Sequence, residues 1–197
     1  ACLRPQSTCI CALVVPTPHT TDVLILQHPL EVNHAKNTAR LLHLSLPGSR
    51  LVVGEVFDDV QLQALVPHGN IAVLLYPPIP AGQVPHATSG PSDTTQLAPA
   101  SQVTLVVLDA TWRKSRKMLH TSPALQRLPR LALSDLPPSA YAIRKAHAPG
   151  QLSTLEATCA ALAQLEGTPE HFAPVVAAFK SFVAQQAVLT LQQSKPA

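Results

Sequence analysis

The chain reads as an α/β protein, a mainly parallel sheet flanked by helices, and three observations predict this. The apolar runs Asp22 to His28, Arg50 to Val56, Ile71 to Pro77 and Val103 to Leu108 lack the polar alternation of a half-solvated sheet, as strands covered on both faces do. Segments with helical apolar spacing separate and follow these runs, the arrangement that lays helices over a sheet. At 197 residues, 46% hydrophobic and 13% charged, the chain can bury one substantial core, and its composition excludes disorder.

Residues 1–20 form a Cys-rich segment ahead of a single α/β domain over 21–197. Cys2, Cys9 and Cys11 crowd its start, while Cys159 stands alone in a helical stretch and reads as buried packing. With no secretory leader, three thiols so close together point to metal ligation before disulfide chemistry. A structural zinc ion wants four donors, so a further Cys just upstream, or more weakly His19, would complete the set. No continuous 18-residue apolar run is present, so the expectation is a cytoplasmic protein with no membrane contact.

Asp22 to His28 is the first strand, ended by Pro29. Glu31 to Leu46 has apolar residues at Val32, Ala35, Ala39, Leu42 and Leu46, which predicts a helix. Pro47-Gly48-Ser49 turns the chain into the second strand, and Asp58 or Asp59 caps a short helix ending at Leu65. Gly69-Asn70 leads to the third strand. The Tyr76-Pro77-Pro78 step lies just beyond its end, where open α/β sheets bind ligands. A Pro-rich insertion follows at about 79–101, and its central part, His86 to Ala98, reads as tolerated surface sequence.

Val103 to Leu108 then delivers a polar corner, Asp109-Ala110-Thr111-Trp112, to a helix start. Thr111 is a ready N-cap, and the single Trp of the chain sits beside a carboxylate and four cations. Eight of the 14 Lys and Arg lie between Arg113 and Lys145, opposed there only by Asp135. Such clustering suits either solvated surface or phosphate contacts with nucleic acid. Thr121-Ser122-Pro123 breaks the basic helix, Pro123 to Leu128 offers one more turn, and Arg130 to Leu133 reads as a short strand. Ser153-x-x-Glu156 fits a capping box opening a helix to about Glu166, and its N–H groups could equally receive a carboxylate or phosphate. Gly167 ends that helix, and Thr168-Pro169 opens a last one to about Gln192. Its stripe of Phe172, Val175, Val176, Phe179, Phe182, Val183 and Val188 is core. The nine His show no i, i+4 pairing. No GxGxxG, Walker A, HExxH or GxSxG motif occurs, which weakens dinucleotide, triphosphate, metalloprotease and serine hydrolase readings.

Taken together, Asp109-x-Thr111-Trp112 with its basic helix, the Cys2…Cys9-x-Cys11 cluster, His28-Pro-x-Glu31, Asn37-Thr38-Ala39-Arg40, Tyr141-x-x-Arg144 and Leu152-Ser-Thr-Leu-Glu156 resemble the DTW-domain family. The Cys that the family places two residues before the position of Cys2 would fall ahead of Ala1, and the Pro-rich insertion is longer than the resemblance predicts. The resemblance implies a SPOUT-like fold with a knotted C-terminal half, S-adenosylmethionine as cofactor and tRNA as partner. It implies transfer of the 3-amino-3-carboxypropyl group to N3 of a uridine. No protein partner is inferred. A SPOUT-like RNA methyltransferase and a non-catalytic RNA-binding module are the alternatives.

On that reading Asp109, Thr111 and Trp112 are the catalytic candidates, with Asp109 a general base or a positioning group. Tyr76, Pro77 and Leu108 would pack near adenine or ribose. Arg144 or the helix start at Leu152, Ser153 and Thr154 would take the donor's carboxylate, and Glu156 or Asp109 its ammonium. Arg113, Lys114, Arg116, Lys117, Arg130 and Lys145 would face the RNA.

Overall fold

The computed structural model describes residues 2–77, 99–133 and 152–193. Its sheet contains β1 (Asp22–Gln27), β2 (Arg50–Val53), β3 (Ile71–Leu75), β4 (Val103–Asp109) and β5 (Arg130–Leu131), in the order β2-β1-β4-β3-β5. All the neighbouring pairs are parallel. The helices are α1 (Ala39–Ser45), α2 (Asp59–Leu65), α3 (Trp112–Thr121), α4 (Pro123–Gln126), α5 (Thr154–Glu166) and α6 (Ala173–Gln193).

Strand alternation sorts the side chains into two apolar layers. Val23, Ile25, Val73, Leu105 and Val107 pack with Leu41 and Leu42 of α1, Leu162 of α5, and Phe179 and Phe182 of α6. Leu24, Leu26, Leu74 and Val106 point the other way, onto Leu62 of α2, Met118 and Leu119 of α3, and Leu125 of α4. This double coverage is why the strands read as unbroken apolar runs. The order of the strands also fixes where a ligand fits. From β1 the chain moves outward to β2, and from β4 it passes β3 to reach β5, so the winding reverses between the adjacent strands β1 and β4. Open parallel sheets bind ligands outside the C-terminal ends of strands at such a reversal. Gln27 and Asp109 are paired in register there.

Several expected elements change. The helix expected over Glu31 to Leu46 is a 3₁₀ turn at Pro29–Glu31, further turns, and only then α1. Glu31 and Asn37 are buried while Val32 is exposed, so the apolar stripe is not a helix face. The demand for these two polar side chains at the strand ends overrides local periodicity. The last helix begins at Ala173 instead of Pro169, because Gly167 takes the left-handed conformation (φ 65°) and Thr168 N–H bonds the Ala163 carbonyl, closing α5. Val188, counted in its stripe, is 52% exposed. Ala173–Leu191 is long and apolar enough to cross a membrane, with mean hydropathy 1.3, although polar residues interrupt its apolar run. Its Val175, Phe179 and Phe182 nevertheless lie in the sheet's core. The capping boxes at Asp58 and Ser153 form as expected, and Cys159 is buried, its thiol pushed up to about 12 by desolvation.

One glycine links the fold to the strand ends. Gly54 follows β2, its N–H donates to the Gln27 carbonyl at 3.0 Å, and a Cβ built there would lie 2.6 Å from Cζ of buried Phe57. Gly54→Ala is therefore expected to destabilise the fold by about 1–3 kcal/mol through overpacking. Urea unfolding measures this, and an unchanged midpoint would mean that the Phe57 ring yields freely.

Candidate functional site

Asp109 ends β4 and is 4% exposed. A carboxylate at that depth requires donors, and three side chains supply them. Its Oδ2 accepts from Gln27 Nε2 at 2.8 Å and Asn37 Nδ2 at 2.6 Å, and its Oδ1 accepts from Thr154 Oγ1 at 2.8 Å. Gln27 Nε2 also reaches Asn37 Oδ1 at 3.3 Å, and His28 N–H bonds the Asp109 carbonyl at 3.0 Å. Burial pushes the Asp109 carboxyl above the usual carboxylate range; the three donors oppose the rise, and the charge of Glu31 adds to it.

Glu31 is 1% exposed and accepts from Lys114 Nζ at 2.8 Å. Lys114, placed with the RNA-facing cations by sequence, thus turns inward, because a carboxylate buried beside Asp109 requires a counter-charge. Lys117 also has an acidic partner, Glu55 at 2.6 Å, and it holds the Glu55 carboxyl below its ordinary value. His28 Nδ1 accepts from Leu30 N–H, which leaves Nε2 facing Glu55 at 3.6 Å. Arg113 and Arg116 lie exposed on α3, with no acidic partner found among the described residues. The Thr111 hydroxyl accepts from Lys114 N–H at 3.4 Å, so its observed contact is that of an N-cap.

A second wall of the crevice is aromatic. Trp112, 39% exposed, stands edge-on to Tyr76 with ring centroids 5.8 Å apart, and Arg130 lies over the Tyr76 ring at 5.4 Å. Arg130, placed with the RNA-facing cations by sequence, therefore lies against the Tyr76 ring at the strand ends. Leu108 is half-buried and Pro77 exposed at the neighbouring strand ends, and half-buried Leu152 precedes α5. Ser153 N–H donates to Glu156 Oε2 at 2.9 Å, and Glu156 N–H to Ser153 Oγ at 3.2 Å. The α5 start therefore already holds a carboxylate of its own. Arg144, Lys145, Tyr141, Pro78 and most of the Pro-rich insertion lie outside the described residues.

The cysteine segment forms a separate site. One sulfur from each of Cys2, Cys9 and Cys11 lies within 4.8 Å of the other two, and the Cys2–Cys9 separation is 3.8 Å. Thiolates on a tetrahedral ion at about 2.3 Å would stand roughly that far apart, so the trio fits a metal. The Ile10 N–H leads the contacts that lower the Cys2 thiol to about 6, against the opposing effect of burial. The Cys11 N–H favours the Cys9 thiolate, but the neighbouring sulfurs outweigh it and raise that thiol. His19 does not join the trio; its Nδ1 faces the Thr21 carbonyl at 2.7 Å. The segment is fastened to α6 by Gln185 Nε2 on the Cys9 carbonyl at 3.1 Å and by Arg4 over the Phe182 ring at 5.2 Å.

Sequence reasoning assigned no role to Gln27 or Glu55 and none to Glu31 or Asn37 individually. The only signal for the last two was their place in the motifs His28-Pro-x-Glu31 and Asn37-Thr38-Ala39-Arg40.

A parallel α/β sheet with polar and aromatic side chains gathered at its winding reversal is an α/β fold of the kind that binds ligands at that point. The chain belongs to the DTW family: the DTW domain matches residues 1–187. It is similar to tRNA-uridine aminocarboxypropyltransferase 2 of Drosophila melanogaster, 34% identical over 180 residues that make up 86% of this chain and 66% of that protein. Its namesake in Mus musculus is 32% identical over 173 residues, 84% of this chain and 55% of that protein. The tRNA-uridine aminocarboxypropyltransferase A of Arabidopsis thaliana is 28% identical over 141 residues, 64% of this chain and 51% of that protein. The chain thus spans about half to two thirds of the length of these curated relatives. No solved structure matches it significantly.

The arrangement around Asp109 makes two substitutions diverge. Asp109→Ala strands three buried donors, each worth about 1–3 kcal/mol when unsatisfied, and is expected to cost at least about 3 kcal/mol. Asp109→Asn keeps an oxygen toward Gln27 and Asn37 and an amide that the Thr154 hydroxyl can accept, so its cost is expected below about 1 kcal/mol. Equal midpoints for the two variants in urea would contradict this account of the contacts.

Proposed function

We propose that the chain transfers the 3-amino-3-carboxypropyl group of S-adenosylmethionine to N3 of a uridine in tRNA, releasing methylthioadenosine. The observation that carries this reading is the meeting of Asp109, Thr154, Glu31 and Trp112 at the winding reversal of the sheet, in a chain whose match to the DTW domain spans residues 1–187. The names of the relatives supply the reaction. When bound, S-adenosylmethionine supplies an electrophilic carbon beside the sulfonium, with the thioether as leaving group.

The residues have separable tasks. Attack requires uridine N3 to shed its proton to solvent water as the N–C bond forms, and the C–S electron pair leaves with sulfur. Asp109 already uses three of roughly four acceptor positions, which supports a positioning role over that of base. It holds Thr154, Asn37 and Gln27 rigid at the strand ends, and orientation of this kind can supply several kcal/mol of a barrier. Trp112 offers an exposed face on which the extruded uracil or adenine can stack, with Tyr76, Pro77 and Leu108 alongside. Thr111 positions Trp112 by capping α3. The ammonium of the donor fits the acidic side of the crevice, and Arg144 stays a candidate for its carboxylate.

The finer architecture belongs to the same reading. A SPOUT-like fold with a C-terminal knot is supported by the all-parallel sheet and by the return of α5 to the end of β4; residues 134–151, which would complete the knot, lie outside the described residues. Zinc at Cys2, Cys9 and Cys11 is supported by the sulfur spacing and would be structural, bracing the first eleven residues against α6. Reduced thiols suit a cytoplasmic location.

Incubating the protein with S-adenosylmethionine and unmodified tRNA, followed by nucleoside mass analysis, tests the reaction. Aminocarboxypropyl-uridine and methylthioadenosine are expected; with Asp109 as a positioning group, Asp109→Asn keeps turnover within about tenfold of the parent protein, and loss of turnover with the fold preserved would make Asp109 the base. S-adenosylhomocysteine as by-product would indicate a methyltransferase, and no product with retained tRNA binding would indicate an RNA-binding module. Replacing Arg113 and Arg116 together by Gln is expected to weaken tRNA binding and reduce its salt slope by about 1–2; a slope equal to that of the parent protein would return both cations to ordinary surface.

A further inference from the structure

Two buried polar groups at the end of the sheet remain without a hydrogen-bond acceptor or donor. The Tyr76 hydroxyl and both terminal nitrogens of Arg130 are out of reach of solvent, and neither residue has a hydrogen-bond partner for these atoms among the described residues. They come from different strands and meet by register. Leu74 pairs with Arg130 across β3 and β5, so Arg130 extends over the ring of Tyr76 two residues further on, 5.4 Å from its centroid. Tyr76 in turn stands 5.8 Å from Trp112, which ties the pair to the crevice.

Orphaned buried donors are rare in folded proteins, and a fork of guanidinium N–H groups suits the paired oxygens of a carboxylate or phosphate. We propose that Arg130 and Tyr76 form an oxyanion subsite of the crevice, Arg130 gripping the anion with its two terminal nitrogens and Tyr76 donating its hydroxyl. Desolvation lowers the proton affinity of Arg130 in the absence of a counter-ion, the state an incoming anion relieves. At the competing anion site, the α5 start, the Ser153 N–H is already taken by Glu156. The anion is the α-carboxylate of the aminocarboxypropyl donor or a tRNA phosphate, an identification that rests on the activity proposed above; the subsite itself does not.

Trp112 is the only Trp of the chain, so its fluorescence reports on the pair directly. The parent chain, Arg130→Gln, Arg130→Lys and Tyr76→Phe are titrated with inorganic phosphate and with acetate at constant ionic strength. A saturable change is expected in the parent protein, lost in Arg130→Gln and weakened about tenfold in Arg130→Lys and severalfold in Tyr76→Phe. Should Arg130→Gln fail to fold, the other two variants carry the comparison. No saturable response in the folded parent, or equal responses in all folded variants, overturns the subsite.

Calorimetry with S-adenosylmethionine and its decarboxylated analogue, and tRNA binding across a salt series, separate the sources. A donor carboxylate predicts a loss of about tenfold or more for S-adenosylmethionine alone in Arg130→Gln, with the analogue unaffected. A phosphate predicts weaker tRNA binding and a shallower salt slope with both small ligands unaffected. Unchanged binding of all three overturns the assignment of the anion to the donor carboxylate or a tRNA phosphate. A parent protein that makes no aminocarboxypropyl-uridine refutes the activity, while the inorganic-anion titration still decides the subsite.

Discussion

The enclosure of Asp109 is the constraint on which the rest of the site depends. A carboxylate so far from water is costly unless donors surround it, and the donors come from β1, from the turns before α1 and from the first turn of α5. Positions 27, 37 and 154 are thereby pinned to one point. The same need explains why the segment after β1 abandons the helix its apolar spacing suggests: only an irregular path brings Asn37 to Asp109 and buries Glu31 within reach of Lys114.

Charge in α3 is divided by depth. Lys114 neutralises a buried carboxylate and Lys117 an exposed one, while Arg113 and Arg116 remain on the surface. A helix that looks uniformly basic in sequence therefore presents two outer cations and anchors itself with two others. Buried pairs of this kind stabilise little by themselves, but losing one partner is costly, so Glu31 and Lys114 act as a unit that fixes how α3 leaves the sheet.

Opposite the acidic side, Trp112, Tyr76 and Arg130 run along the ends of β4, β3 and β5. The strand ends thus combine buried carboxylates on one side with an aromatic and cationic group on the other. The cysteine trio belongs to a segment fastened to α6 by Gln185 on the Cys9 carbonyl and by Arg4 over Phe182.

Most of the framework was legible in the sequence. The strands showed as apolar runs because both sheet faces are covered, and the caps at Asp58, Thr111 and Ser153 showed because capping is local chemistry within four residues. Asp109, Thr154 and Trp112 could be singled out from the strand-to-helix corner and the family motifs. Gln27 could not, since a polar residue at a strand end has no local signature of what it will touch. Nor could the inward turns of Lys114 and Arg130: a cation's partner is set by which strands lie side by side, here β1 beside β4 and β3 beside β5. The sequence by itself determined the α/β class, the local starts and stops, and the residues able to do chemistry. Only the tertiary structure decided which of them meet, because hydrogen bonds and ion pairs act over a few ångströms while the segments they join lie far apart in the chain, Asn37 and Thr154 around Asp109 by 117 residues and Cys9 and Gln185 by 176.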